Sequence, residues 1–305
     1  MDFNECFSTE KSILMEGALG ERLKREYHLS FDRDVAMAGL IYEEPGRKAL
    51  TAIWEEYIAV ARKYHLPFIA TTPTRRANKE RVAASKYDDK IICDNVAFLD
   101  GIRKSENTNM YIGGLMGCKG DAYKATEVLS IDSAKEFHAW QADLFAQAGA
   151  DFLYAGIMPA LSEAIGMAKA MEQTGLPYII SFMIRKNGKL IDVTTISDAM
   201  MQIDHSVKRR PLCYMTNCVH PAVAYAALSH EFNQTNLVRQ KFRGIQANTS
   251  PLSPEELDGS ADLKCSDALS LAKEIKRLSE VMELKIVGGC CGTDQSHIEQ
   301  IAKGL

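Results

Sequence analysis

Short apolar runs recur along the chain, each bounded by turn residues, and polar-faced segments lie between them. The runs are continuously hydrophobic and do not alternate with polar residues, which favours parallel strands covered on both faces. The pattern predicts eight strands, at Ser12–Met15, Pro67–Thr71, Met110–Gly113, Asp151–Ala155, Tyr178–Met183, Leu212–Thr216, Phe242–Gln246 and Leu284–Val287.

The segments between the runs carry the period of a helix. In Arg47–Tyr64 apolar residues recur at i, i+3, i+4, i+7 and i+8 and form one stripe, and Ser266–Met282 shows a similar pattern. Strands that alternate with helices indicate a parallel sheet, and eight strands close into a (β/α)8 TIM barrel. We therefore expect an α/β fold with a single barrel domain over residues 1–305. An open doubly wound sheet is the alternative.

One long segment interrupts this alternation. Asn248–Lys264 contains two prolines and several acidic and small residues, which predicts a long mobile loop between the last two strands. Loops of this length are uncommon unless they are functional.

Composition excludes several classes of protein. A formal net charge of −4 and a pI near 6.0 argue against a nucleic-acid surface, which carries a basic excess. The N-terminus has no basic stretch followed by an apolar one, and no apolar run reaches the roughly 20 residues of a membrane helix. We therefore expect a cytoplasmic protein with no nucleic-acid or membrane partner. The sequence predicts no oligomeric state.

Cysteines supply the most informative chemistry. In a reducing compartment, eight cysteines are more commonly thiols or metal ligands than disulfides. Cys218 follows the sixth predicted strand, whereas Cys290 and Cys291 follow the eighth. Barrel enzymes build their active sites at the C-terminal ends of the strands. Loops from strands two apart, separated by about 10 Å, can reach one metal ion.

Three thiolates in this arrangement predict a Zn²⁺ site, because zinc accepts sulfur ligands in tetrahedral geometry. Three protein ligands leave the fourth position open, which is typical of catalytic sites. Glycines at positions 288, 289 and 292 allow the tight bend that two adjacent ligands require. The alternatives are a chance Cys-Cys pair, a redox pair, or a structural zinc with His220 as fourth ligand. His220-Pro221 is more typical of a helix start, with proline at the first helical position.

Further motifs extend over nearly the whole chain: Asn217-Cys218, Gly288-Gly289-Cys290-Cys291-Gly292-Thr293, Glu16-Gly17-Ala18-Leu19-Gly20, Ala148-Gly149-Ala150-Asp151 and Pro159-x-x-x-Glu163-Ala164. Together they resemble the homocysteine S-methyltransferase family, which includes betaine-, S-methylmethionine- and cobalamin-dependent members. The resemblance implies a barrel that holds zinc on Cys218, Cys290 and Cys291. It also implies methyl transfer to a thiol, which in most members is homocysteine.

The implied chemistry suits such a site. A free thiol, with a pKa of about 8.5, is a poor nucleophile at neutral pH, and coordination to zinc deprotonates it. Cysteine and substrate thiolates make the centre negative, which favours a cationic donor such as a sulfonium or quaternary ammonium compound; a corrinoid protein is the alternative. The expected partners are thus a small-molecule thiol and a methyl donor, and no catalytic residue is expected beyond the zinc ligands. The substrate-binding candidates are Glu16, Gly17, Thr72, Asn217 and Asn248.

The chain departs from the family pattern where members bind the amino acid part of homocysteine. Glu16 stands where the pattern usually has Asp, and Gly156 stands where it usually has the Glu that contacts the ammonium. A buried charge that loses its partner costs several kcal/mol. Arg75 and Arg76 lie near the expected active face, either as an anion-binding site or as a solvated helix start. We therefore expect an unusual acceptor or donor, such as one with a carboxylate and no amine.

Two other functions are compatible with a zinc site. A zinc hydrolase would hold water of lowered pKa at the open position, but an all-cysteine ligand set and the lack of a general base beside it argue against hydrolysis. A non-catalytic scaffold would bind zinc or a thiol without turnover. Metal content and transfer of a labelled methyl group distinguish these functions.

Overall fold

Parallel strands form the centre of the protein. The structure, a computed structural model, describes residues 1–251 and 266–305, so most of the predicted loop Asn248–Lys264 lies outside the described residues. The strands are β1 Ile13–Met15, β2 Phe68–Thr71, β3 Met110–Gly117, β4 Phe152–Met158, β5 Tyr178–Phe182, β6 Cys213–Val219, β7 Phe242–Ala247 and β8 Ile286–Gly289. Each pairs with the next in parallel, and β8 pairs with β1, which closes the barrel. The predicted (β/α)8 fold is confirmed, and the open-sheet alternative is wrong.

Helices cover the outside of this barrel, and those predicted over Arg47–Tyr64 and Ser266–Met282 are present. They are α1 Phe3–Thr9, α2 Gly20–Arg25, α3 Glu44–Lys63, α4 Lys79–Ala84, α5 Lys90–Glu106, α6 Ile131–Ala148, α7 Leu161–Gln173, α8 Ile196–Ser206, α9 Pro221–Leu228, α10 Asn236–Lys241, α11 Ala268–Ser279 and α12 Gln295–Ala302, with 3-10 helices at Met37–Tyr42 and Glu231–Asn233. Among the described residues, no helix has the length and apolar character needed to cross a membrane.

The N-terminal end of the barrel is closed by α1. Phe3 of this helix joins the apolar side chains inside the barrel and stacks on Phe152, with ring centroids 4.2 Å apart. Alternate strand residues such as Ile69, Ile179 and Met215 continue this inner core. Access to the interior is therefore from the opposite end, where the strands terminate.

Two strands are irregular at that opposite end. Along β6, Asn217 pairs with Gln246 and Val219 with Ala247, so Cys218 is the extra residue of a β-bulge. Ile157 lies in a similar irregularity of β4. Cys218 and Ile157 have φ values of +58° and +57°, in a region that non-glycine residues rarely adopt. Because bulges redirect side chains, Cys218 lies within β6 and yet faces the cavity there, and its predicted position beyond the strand is wrong.

Candidate metal and thiol site

A cavity of about 470 Å³ opens at the C-terminal end of the strands. Nearly all the predicted site residues line it: Glu16, Gly17, Thr72, Arg75, Arg76, Asn217, Cys218, Cys290 and Cys291. Asn248 is not among the lining residues. It is buried in the segment after β7, where its Oδ1 accepts a hydrogen bond from the Ser250 N–H at 3.3 Å.

The three predicted metal ligands lie together. Their Sγ atoms are all within 4.8 Å of one another, and those of Cys218 and Cys291 are 3.4 Å apart. The N–H of Cys290 donates to the Ala247 carbonyl at 2.8 Å, which fixes the loop against β7. Gly292 follows with φ +81°, a conformation that glycine adopts without strain. The turn therefore directs two adjacent thiols toward Cys218.

The spacing of these sulfur atoms fits a metal ion. Tetrahedral zinc with bonds of about 2.3 Å would place its sulfur ligands about 3.8 Å apart. His220 lies outside the cluster: it caps α9, where its Nδ1 accepts from the Ala222 N–H at 3.2 Å. The predicted helix start at His220-Pro221 is therefore confirmed. Within the described part of the chain, the cluster offers three ligand atoms.

Tyr123, in the loop after β3, contacts this cluster directly. Its hydroxyl donates to Cys218 Sγ at 3.2 Å. Hydrogen bonds from Cys290 and Cys291 hold the pKa of Cys218 well below its ordinary value, and Tyr123 and the Arg75 guanidinium act in the same direction. Burial and the nearby Cys218 thiolate raise the pKa of Tyr123, which keeps it a donor. The Tyr123 hydroxyl therefore supplies a donor that would stabilise negative charge on Cys218 Sγ.

Glu16 lies directly after β1 and is buried. Trp54 Nε1 donates to its Oε2 at 2.6 Å, and the N–H of Thr71 donates to its Oε1 at 3.0 Å, as does the Thr71 hydroxyl. Burial raises the pKa of Glu16 to about 7, although these hydrogen bonds oppose the shift. Most of its capacity to accept hydrogen bonds is therefore used within the protein.

Gly17 and Thr72 line the cavity and also have structural roles. A Cβ at Gly17 would lie 2.7 Å from the Tyr57 hydroxyl, so the close approach of that ring requires glycine. Thr72 Oγ1 accepts from the Leu115 N–H at 3.0 Å, which joins the end of β2 to β3. Both residues therefore shape the cavity wall.

Gly156, where the chain departs from the family pattern, lies beside two residues that line the cavity, Leu115 and Ile157. A Cβ at Gly156 would lie 2.7 Å from Leu115 Cδ1, so the apolar Leu115 lies where a longer side chain would point. Arg75 is half-buried and Arg76 is exposed, and both line the cavity. They precede α4, which Asn78 caps, so they are not its first turn.

The sequence analysis does not identify several residues that line the cavity. Tyr123 lies in a loop without a readable motif. Tyr154 and Gln246 lie in predicted strands, and the Tyr154 hydroxyl donates to Gln246 Oε1 at 2.9 Å. The alternation of side chains along those strands was the signal that could have found them. Glu21 also lines the cavity, and it accepts a hydrogen bond from the N–H of Gly292.

Comparison with known proteins settles the family. The family model for homocysteine S-methyltransferase matches residues 13–305. The chain belongs to this family. No curated protein matches the chain by sequence.

This homocysteine S-methyltransferase family member also shares its fold with a solved structure, the homocysteine methyltransferase MmuM from Escherichia coli. The metallated form of MmuM matches with a TM-score of 0.77 and 18% identity over 98% of each chain. Its oxidised form matches with a TM-score of 0.75 and 18% identity over 97% of each chain. At this identity the likeness shows the fold alone.

Proposed function

We propose that the protein is a zinc-dependent methyltransferase in which a thiol acceptor, bound beside Cys218, Cys290 and Cys291, attacks the methyl group of a donor. The observation that carries this proposal is the three-sulfur cluster in a cavity large enough for small molecules, within a chain of this family. Zinc held by the three cysteines would bind and deprotonate the acceptor thiol. Homocysteine is the acceptor that the family's name implies.

Residues around the cluster orient the reacting groups. The Tyr123 hydroxyl holds Cys218 Sγ in place, and Leu115, Ile157 and Phe31 give the cavity apolar walls that limit water. Negative charge on the thiolates favours a cationic donor, such as a sulfonium or quaternary ammonium compound, which leaves as a neutral molecule. A corrinoid protein is the alternative methyl donor.

A zinc hydrolase is less well supported. Such an enzyme needs a base to act on bound water. Glu16 and Glu21 are the carboxylates among the described cavity residues, and both accept hydrogen bonds from the protein. Neither is a free base beside the cysteines.

We also infer that residues 1–305 act as one domain in the cytoplasm. The family model covers almost this whole range. The cysteines that the structure describes are all free thiols, which suits a reducing compartment.

Metal content and methyl transfer test the proposal together. Protein purified under reducing conditions should contain about one zinc per chain and transfer a labelled methyl group to a thiol. Cys290→Ala should lose both properties. Cys93→Ala, on α5 and away from the cavity, is the matched control and should keep both. Wild-type protein that contains no metal would contradict the zinc site. Protein that contains zinc but transfers no methyl group would favour a non-catalytic scaffold.

A further inference from the structure

Two cations face the cavity without partners. Within residues 1–251 and 266–305, the side chains of Arg75 and Arg76 form no salt bridge or hydrogen bond. The third cation of the cavity, Lys24, lies 4.8 Å from the centre of the Phe31 ring. A half-buried guanidinium with no acceptor is costly, because its donors are removed from water. Arg75 is therefore the cation best placed to bind an anionic ligand.

The backbone provides a close-fitting position for Arg75. A Cβ at Gly117, the last residue of β3, would lie 2.7 Å from both Arg75 Cγ and the Arg75 carbonyl oxygen. Glycine at this position lets the arginine pack directly on the end of the strand. Arg75 lines the same cavity as Cys218, Cys290 and Cys291. Arg75 is therefore part of the cavity that would hold the acceptor thiol.

Asn217 adds a second donor from the opposite side of the barrel. Its Oδ1 accepts from the Ile157 N–H at 2.9 Å and from Ser181 Oγ at 2.6 Å. Since the Ile157 N–H can only donate, the amide orientation is fixed and Nδ2 is left as the free group. Asn217 is 6% exposed and lines the cavity, yet Nδ2 has no partner within the described residues. The Asn217 Nδ2 group is therefore available at the cavity to donate a hydrogen bond to an acceptor on a ligand.

Among the described residues, the cavity offers few acceptors for an ammonium group. Glu16 already accepts from Trp54 and Thr71. β4 lines the cavity with Tyr154 and Ile157 and carries Gly156 between them, so it supplies no carboxylate. Glu21 is the remaining carboxylate, and it accepts a hydrogen bond from the N–H of Gly292, next to Cys291.

From this set of donors we propose that the methyl acceptor is a small thiol that carries a carboxylate or sulfonate and no ammonium, with the anion bound by Arg75 and Asn217. This rests on the proposed methyltransferase function. The thiol releases its proton to solvent on binding. The thiolate sulfur forms a bond to the methyl carbon as the bond between that carbon and the donor atom breaks. The electron pair of the broken bond stays on the donor atom, and the demethylated donor leaves.

Thiols of similar size but different charge test the assignment. 3-Mercaptopropionate, 2-mercaptoethanesulfonate, propanethiol, cysteamine and homocysteine would be compared as acceptors, with a sulfonium, a quaternary ammonium compound and methylcobalamin as donors. We expect the two anionic thiols to have kcat/KM values at least about tenfold above those of cysteamine and homocysteine. The ratio of the kcat/KM value for the carboxylate thiol to that for the sulfonate thiol then identifies the preferred anion.

Substitutions of Arg75 test where the anionic group of the thiol binds. Arg75→Gln should raise KM for 3-mercaptopropionate about tenfold or more and leave KM for propanethiol unchanged, since a charge-assisted hydrogen bond is lost. Arg75→Lys should keep part of the binding. Arg81→Gln, a half-buried arginine outside the cavity, is the matched control. Calorimetric binding of the thioether 3-(methylthio)propionate gives a readout independent of turnover and should weaken in Arg75→Gln alone, with zinc content unchanged.

Three results would overturn the assignment. The first is a tenfold preference for homocysteine over the anionic thiols. The second is equal loss of charged and neutral thiols, or loss of zinc, in Arg75→Gln, since Arg75 would then act on the cysteines. The third is a selective loss of homocysteine turnover in Glu21→Gln, with turnover of the anionic thiols and zinc content retained, which would assign an ammonium to Glu21. Failure of every thiol to accept a methyl group would instead contradict the proposed function itself.

Discussion

A buried hydrogen-bonded cluster anchors the loop that carries Tyr123. Glu163, in the first turn of α7, is 1% exposed, and its Oε1 accepts from His138 Nε2 at 3.0 Å and from the Lys119 N–H at 2.7 Å. Lys119 is the second residue of the loop between β3 and α6, which places Tyr123 against Cys218. Glu163→Ala would leave the buried His138 Nε2 and the part-buried Lys119 N–H without this acceptor. We expect this substitution to reduce stability and to loosen the loop.

The size of the effect follows from the two lost bonds. A buried donor left unsatisfied costs about 1–3 kcal/mol, so Glu163→Ala should lower the free energy of unfolding by about 3 kcal/mol. With an unfolding entropy of about 2.1 cal/mol/K per residue, this lowers Tm by about 5 °C for 305 residues. Differential scanning calorimetry measures this shift.

Glu163→Gln is the matched control. Both partners contact the same oxygen, so glutamine can keep both bonds, and we expect a loss of about 1 kcal/mol or less. Amide hydrogen exchange in residues 118–125 should be faster in the alanine variant than in the glutamine variant. The same Tm and the same exchange in wild type and Glu163→Ala would refute this reasoning.

Three further predictions concern single side chains. Tyr123→Phe removes the hydroxyl 3.2 Å from Cys218 Sγ; it should weaken zinc retention about tenfold in chelator competition, because a bond to a charged group contributes about 1.5–3 kcal/mol. Asp294→Ala removes the cap of α12, where Oδ1 accepts from the His297 N–H at 3.2 Å, and should cost about 1 kcal/mol in urea unfolding. Burial raises the pKa of Glu16 from 4.5 to about 7. The protonated Glu16 therefore contributes to the free energy of unfolding, relative to Glu16→Gln, below pH 4.5, and this contribution is lost as the pH rises through 7. The change should be about 3 kcal/mol, and a pH-independent difference between the two proteins would contradict it.

The strands could be located from the sequence because barrel strands are buried on both faces and therefore appear as apolar runs. The ends of these strands could not be located in the same way. β3 continues to Gly117 and β6 to Val219, beyond the predicted ends at Gly113 and Thr216, since glycines and polar residues there resemble turns. The bulge at Cys218 was equally unreadable, because its backbone conformation depends on pairing with β7.

The cysteine cluster was predictable because Cys218 lies near the end of β6 and Cys290 and Cys291 follow β8, at the same end of the barrel. The hydrogen bonds around it were not, since they join residues distant in sequence: Tyr123 lies 95 positions from Cys218. The loss of a carboxylate at Gly156 is visible in the sequence. That Leu115 lies beside it, and that the Asn217 Nδ2 is left as a free donor, required the fold.

X-ray absorption at the zinc edge tests the central claim most directly, because it counts the sulfur atoms bound to the metal. For protein as purified we predict about three sulfur ligands near 2.3 Å, from Cys218, Cys290 and Cys291. Saturation with an acceptor thiol should raise the count to about four, as the substrate sulfur joins the three cysteines. Zinc without this sulfur shell, or a sulfur count that the thiol leaves unchanged, would contradict the account.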